Sequence, residues 1–212
     1  IGFKIRGIAA RGTHKVPRDM IESCPNLEII SIYGVGFDGV DLDACREHRI
    51  RVTNTPDVLT GDVADLGIAM MLMQSRQMLN AEHHARSGAW INAGFPLTKR
   101  VYGARVGILG LGRIGYEVAK RCAAFDMHIH YTDLEPRDFA GDWAFHANPT
   151  DLASAVDFLF VTLTASAETR HIVNADVLNA LGPDGMIINI SRASNIDESA
   201  LLNALETGRV GG

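Results

Sequence analysis

Residues 106–115 read Val106-Gly107-Ile108-Leu109-Gly110-Leu111-Gly112-Arg113-Ile114-Gly115. The spacing of Gly110, Gly112 and Gly115 has a chemical meaning when an apolar strand precedes it and a helix follows. Both flanks are present. Val106–Leu109 is apolar, and Ile114, Val118, Ala119, Cys122 and Ala123 recur at helical spacing. Gly110 then permits a tight turn, Gly112 lets an anion approach the backbone, and Gly115 lets the helix pack close to the sheet. Unpaired N–H groups at the helix start suit a diphosphate. A ligand-free strand–helix turn would use the same glycines, so a second feature has to decide.

That feature is an acid. The next apolar run, His128-Ile129-His130-Tyr131-Thr132, ends at Asp133. This is about 20 residues past the glycines, where a carboxylate meets an adenosine ribose. A carboxylate there accepts from both ribose hydroxyls and repels a 2′-phosphate. Leu134 and Glu135 supply no cation for such a phosphate; Arg137 is the one nearby side chain able to swing toward it. The sequence therefore predicts NAD(H) in preference to NADP(H). A turn or capping aspartate is the plain alternative for Asp133.

Two later strands end suggestively, at Thr162-Leu163-Thr164 and at Asn189-Ile190-Ser191-Arg192. In an open α/β sheet, ligands lie at the carboxyl ends of strands. An arginine directly after a buried strand points into that crevice, and its planar fork can hold a carboxylate. An interface or capping arginine is the competing reading. The loop Tyr33-Gly34-Val35-Gly36-Phe37-Asp38 also follows an apolar run, and its glycines would let consecutive N–H groups converge on an anion. Without Arg192 it would read as an ordinary turn.

The elements that must position these residues alternate. Strands are expected near Ile5–Ala10, Leu27–Tyr33 and Ile50–Thr53, with helices over Pro17–Cys24 and Asp38–His48 between them. Asn54-Thr55-Pro56 breaks the pattern. One long helix is expected over Gly61–Ser87, its first half apolar on nearly every face and so buried all round. A second series follows, with strands over Arg105–Leu109, His128–Thr132, Asp157–Leu163 and Met186–Ile190. Its helices are expected over Arg113–Phe125, Leu152–Val156, Asn174–Leu181 and Asp197–Thr207. Such alternation means an α/β fold with a doubly wound parallel (Rossmann) sheet.

Hydrophobic residues make up 47% and charged residues 21% of the chain, enough apolar material for a packed core. A net charge of −5 argues against nucleic acid as the main partner. The three cysteines, Cys24, Cys45 and Cys122, show no metal or redox spacing, so reduced, mostly buried thiols and a cytoplasmic protein are expected, with no metal. No apolar run reaches the roughly 18 residues of a membrane span. Ile1 at the start and Gly211-Gly212 at the end suggest cuts through a longer chain.

Several motifs in order carry a resemblance. They are Gly34-Val35-Gly36-Phe37-Asp38, the run Asn54-Thr55-Pro56-Asp57-Val58-Leu59-Thr60-Gly61-Asp62-Val63-Ala64-Asp65, the glycine motif, Thr169-Arg170-His171-Ile172-Val173, and Asn189-Ile190-Ser191-Arg192 through Ile196-Asp197-Glu198. Together the chain resembles the D-isomer-specific 2-hydroxyacid dehydrogenases, and the Asn54–Thr60 stretch resembles their glyoxylate and hydroxypyruvate reductase branch.

The resemblance implies a part of a smaller, flavodoxin-like substrate domain over 1–53 and an NAD-binding Rossmann domain over 54–212. It implies a homodimer helped by the long helix, and diphosphate contacts on Arg113 and Ile114. It implies that Val35 and Gly36 offer N–H groups to a substrate carboxylate, and that Arg192 binds that carboxylate and the carbonyl oxygen. Thr164 falls on the nicotinamide side, where the family usually carries proline. The histidine general acid and its glutamate are expected beyond Gly212. His14, His48, His83, His84, His128, His130, His146 and His171 read as surface or structural. The implied reaction is hydride transfer between NAD(P)H and a small 2-oxo or 2-hydroxy acid, with glyoxylate or hydroxypyruvate foremost. Lactate, phosphoglycerate, formate or phosphite are alternative substrates. A cofactor-sensing corepressor-type protein of the same fold is the alternative of another class.

Overall fold

In a computed structural model, which describes residues 2–212, every strand runs parallel to its neighbour. Strand–helix alternation dictates this, because each crossover returns the chain to the same edge. The chain divides into two units, Ile1–Gly61 and Asp62–Gly212. The sequence suggested a boundary at Asn54. Asn54 and Thr55 hydrogen-bond to the loop after the second strand, which ties them to the first unit.

The first unit contains β1 (Gly7–Arg11), α1 (Arg18–Glu22), β2 (Ile29–Tyr33), α2 (Leu42–Glu47) and β3 (Arg51–Thr53), in sheet order β1-β2-β3. Ile30 and Ile32 of the central strand bury one face against Ile21, Ala44 and Cys45. Asp41 starts α2 by accepting the Ala44 N–H at 2.8 Å, a side-chain cap for an orphan helix donor.

The second unit contains α3 (Thr60–Ser75, its first two residues in the other unit), α4 (Met78–Arg86), β4 (Arg105–Leu109), α5 (Arg113–Ala123), β5 (His128–Thr132), β6 (Ala144–Phe145), α6 (Pro149–Ser154), β7 (Phe158–Val161), α7 (Ala175–Leu181), β8 (Met186–Asn189) and α8 (Glu198–Glu206). Sheet order is β6-β5-β4-β7-β8. The chain therefore winds outward from β4 in one direction and then resumes on its other side, the doubly wound arrangement expected. Strand periodicity separates two cores. Val106, Ile108, Phe158 and Phe160 face α3 and α5, packing on Ile68, Met71, Val118 and Cys122. Leu109, Leu159 and Val161 face α6 and α7, packing on Leu152, Val177 and Leu178. Strands buried on both sides explain the unbroken apolar runs.

Two expectations about the long helix fail. The helix expected over Gly61–Ser87 is two, because Gln77 takes a left-handed conformation (φ 47°) between them. Gln77 is neither glycine nor proline, so its type gives no warning. Nor is the first half buried all round. Ala64, Gly67, Ile68 and Met71 face the sheet, while Leu66, Met70 and Met73 are exposed. The close approach is visible at Gly67, where an added Cβ would lie 3.1 Å from Ile190 and 3.2 Å from Phe160. One stripe of this helix meets the sheet; on the other, Leu66 is exposed and Met70 and Met73 border an open surface cavity with Met186, Ile187 and Leu205. The two-residue β6 was not foreseen, being too short to show periodicity.

The three cysteines are free and buried. Among the described residues, no helix is long and apolar enough to cross a membrane, and no cluster of three or more His, Cys, Asp or Glu side chains could hold a metal.

Candidate functional site

Register places the site residues of the second unit at one level. Leu109 pairs with Thr132 on one side and Val161 on the other, and Val161 pairs with Asn189. The residues that follow these four strand ends therefore emerge together at one carboxyl edge, beside the point where strand order reverses. Gly110, Asp133, Thr164 and Arg192 all belong to these emerging segments.

The three motif glycines meet three different demands. Gly110 has φ +99°, and an added Cβ would lie 2.8 Å from Leu163 Cδ2. Its N–H donates to Thr132 O at 2.9 Å, while its carbonyl accepts from Thr162 Oγ1 at 2.7 Å. At Gly115 a Cβ would overlap Gly110 O and sit 2.9 Å from Thr162 Oγ1, so this glycine lets α5 lie directly on the turn. Gly112 is unlike both. Its φ of −82° and ψ of −163° suit any residue, and nothing lies within 4 Å of where its Cβ would be. Nothing among the described residues requires glycine there.

Gly112 is also the N-cap of α5 and offers no side-chain cap. The start of this helix, at Arg113 and Ile114, therefore carries the positive end of the helix dipole without a side-chain cap. Lys120 and Arg121 stand in the last turn, where they complement the opposite end. Bare backbone with room beside it at Gly112, next to a helix start without a side-chain cap, forms a fitting seat for a diphosphate.

Asp133 borders that seat, since the preceding residue, Thr132, bonds to Gly110. Its side chain is 10% exposed. Oδ1 accepts from Leu134 N–H at 2.8 Å and from Arg137 Nη2 at 2.9 Å; Oδ2 accepts from Arg137 Nε at 3.2 Å. The sequence anticipated the acid's place and named Arg137 as a mobile cation. It did not anticipate that the two form a bidentate pair.

Arg192 follows β8 in extended conformation and precedes a 3-10 turn, Ala193–Asn195. Its Nη1 donates to Ser191 O at 3.2 Å. Sequence reasoning missed the scaffold around it. Asn195 is fully buried. Its Nδ2 donates to Leu163 O (3.1 Å) and Ser191 Oγ (3.0 Å), and its N–H donates to Arg192 O (3.1 Å). The Thr169 hydroxyl donates to Thr164 O at 2.8 Å and lies 3.4 Å from Asn195 Oδ1. Asn189 closes the network, accepting from Ser191 N–H and Oγ and donating to Arg192 O. One buried amide thus links the segment bearing Thr164 to the segment bearing Arg192. An asparagine three residues past an arginine, next to a serine, gives no sequence signal for this.

In the first unit, Gly34 has φ +136°. Its N–H donates to Thr55 Oγ1 at 3.0 Å, Thr55 N–H returns to Gly34 O at 2.9 Å, and Asn54 Nδ2 donates to Val35 O at 2.8 Å. From the other side, Gly12 packs so closely on Gly36 that a Cβ would overlap Gly36 O. The loop is held firmly, and among the described residues the N–H groups of Val35 and Gly36 have no intrachain acceptor.

Most histidines lie at the surface, as expected. The exceptions are His84, half-buried against Phe95, and a half-buried pair, His130 Nδ1 and His146 Nε2, 2.9 Å apart. Burial, then the neighbouring His146, pulls His130 below its ordinary pKa.

Comparison with known proteins accounts for this geometry. Residues 68–212 match the family described as "D-isomer specific 2-hydroxyacid dehydrogenase, NAD binding domain". The chain is 44% identical over 210 residues to glyoxylate/hydroxypyruvate reductase A HPR2 of Arabidopsis thaliana, covering 98% of the chain and 66% of that protein. The chain spans 66% of the length of the first curated relatives it matches. Among solved structures, a 2-hydroxyacid dehydrogenase from Ketogulonicigenium vulgare Y25 is 64% identical with a TM-score of 0.92, over 100% of this chain and 67% of that one. An NADPH-dependent glyoxylate/hydroxypyruvate reductase from Sinorhizobium meliloti, in complex with NADP and malonate, is 43% identical with a TM-score of 0.93, over 99% and 66%. The glycine turn, its neighbouring acid and these matches agree: the chain belongs to the D-isomer-specific 2-hydroxyacid dehydrogenases.

Proposed function

We propose that the protein is an NAD(P)-dependent D-2-hydroxyacid dehydrogenase that reduces a small 2-oxo acid, with glyoxylate or hydroxypyruvate as substrate and NAD(H) as the favoured cofactor. The observation that carries this is Gly112: open space beside an uncapped helix start, with a carboxylate at the next strand end. The bound nicotinamide supplies the hydride in this chemistry. Arg113 and Ile114 N–H groups hold the diphosphate, Asp133 holds the adenosine ribose, and Thr164 lies toward the nicotinamide.

Arg192 binds the substrate carboxylate and stabilises charge growing on the carbonyl oxygen. In the first unit, the N–H groups of Val35 and Gly36 suit a substrate carboxylate. The rigid support around Arg192 favours such a role, because a preorganised donor needs no reorganisation as charge develops. The exposed stripe Leu66, Met70 and Met73 on α3 supports a homodimer; sedimentation of the intact protein tests this, and a monomer at all concentrations refutes it.

Steady-state kinetics of the intact protein with glyoxylate and hydroxypyruvate test the activity. Arg192→Ala is expected to lose about 3 kcal/mol of transition-state stabilisation, or roughly a hundredfold in kcat/KM. Normal turnover in that variant refutes the role. Failure of the intact protein to reduce either acid refutes the substrate assignment.

A further inference from the structure

The Asp133 carboxylate is already engaged inside the chain. A carboxylate has about four acceptor places. Three are filled, by Leu134 N–H and by two nitrogens of Arg137. A ribose diol needs two. The Leu134 donor is fixed backbone, so the donor that must yield is Arg137. The guanidinium also neutralises the charge on which exclusion of a 2′-phosphate depends. An acid with a cation clamped on it repels phosphate far less than a bare one.

We propose that Arg137 is a specificity-determining residue that divides the adenosine end of the site between NAD(H) and NADP(H). The inference rests on the dinucleotide reading above. With NADP(H), the guanidinium leaves Asp133 and pairs with the 2′-phosphate, using the fork geometry that suits both anions. With NAD(H), the ribose hydroxyls compete with Arg137 for Asp133, and the bidentate pair is a penalty on binding.

The surroundings allow this movement. The Arg137 backbone is anchored by its N–H to Tyr131 Oη at 3.0 Å, while its side chain is 32% exposed. Its Nη1 lies 3.8 Å from Glu135 Oε1, on a side chain 76% exposed. Glu135 is a second anion that the phosphate must displace, so NADP(H) binding is tolerated and not optimised.

The test is the ratio of kcat/KM for NADPH to that for NADH, measured on the intact protein. The wild type is expected to use both cofactors. Arg137→Ala is expected to lower the ratio about tenfold or more, through KM for NADPH, and Arg137→Lys to retain part of it as a point charge. Asp133→Asn is expected to raise the ratio, because it releases Arg137 and removes the repelling charge. A ratio unchanged within about twofold in Arg137→Ala, or equal losses with both cofactors, overturns the proposal and leaves the dinucleotide site standing. Calorimetry showing that neither cofactor binds the wild type overturns the site itself.

Discussion

Replacing Gly112 by alanine separates a glycine kept for the chain from one kept for a ligand. The added methyl would meet nothing within 4 Å, and the backbone at φ −82° carries no left-handed strain. Glycine is a better N-cap than alanine, so a loss of at most about 1 kcal/mol in folding stability is expected. The same methyl stands where a diphosphate must touch bare backbone. Forcing one carbon into a closely packed contact costs about 1–3 kcal/mol, which weakens cofactor binding about 5- to 150-fold. Gly115→Ala gives the opposite pattern. Its methyl overlaps Gly110 O and crowds Thr162 Oγ1 at 2.9 Å and Ile108 Cγ2 at 3.0 Å, so it loses about 1–3 kcal/mol of stability before any ligand is added. Urea unfolding measures the first quantity and NADH titration calorimetry the second. If Gly112→Ala bound NADH as tightly as the wild type, the claim that a ligand demands this glycine would be wrong. If it unfolded as readily as Gly115→Ala, the open space would not exist in solution.

Three further outcomes follow from the packing. Asn195→Ala should lower stability by about 1–3 kcal/mol, because Leu163 O and Ser191 Oγ lose a buried partner; if Asn195 also positions Arg192, KM for the acid substrate rises, and a stability loss with unchanged KM would confine it to folding. His130 has a folded pKa below its ordinary 6.5, so unfolding takes up a proton and stability is present above that value and falls as pH drops through it. Urea midpoints at acidic and neutral pH should differ accordingly, and His130→Gln should flatten the difference; an unchanged slope would deny the effect. Burial pushes the Cys122 thiol up to about 12, so native protein at mildly alkaline pH should resist a thiol reagent at this residue. Rapid labelling of Cys122 without denaturant, located by mass spectrometry, would contradict its packing.

The sequence carried the second unit's fold well because its signals are local. Strands buried on both faces leave apolar runs such as Phe158–Val161, and helix starts carry capping residues such as Asn174 and Asp197. Where the outcome depended on a neighbour, the reading failed. An apolar helix reads as buried whether or not a partner covers each stripe, so Leu66, Met70 and Met73 looked like core. The bend at Gln77 arises from tertiary context overriding a residue type that favours neither turn nor break.

By itself the order of residues determined the glycine turn, the acid at the end of the next strand, the arginine after a buried strand, and the α/β class. Each depends on spacing along one strand–turn–helix step, and such spacing is preserved when the chain folds. Only the tertiary structure decided that Asp133 and Arg137 hold each other, and that Asn195 joins the segments of Thr164 and Arg192. It also decided that Gly110 and Gly115 are needed for packing while Gly112 is not. Asn195 and Leu163 are distant in sequence, the Asp133–Arg137 pair depends on how the turn between them folds, and the Gly112 finding concerns empty space; spacing along the chain records none of these.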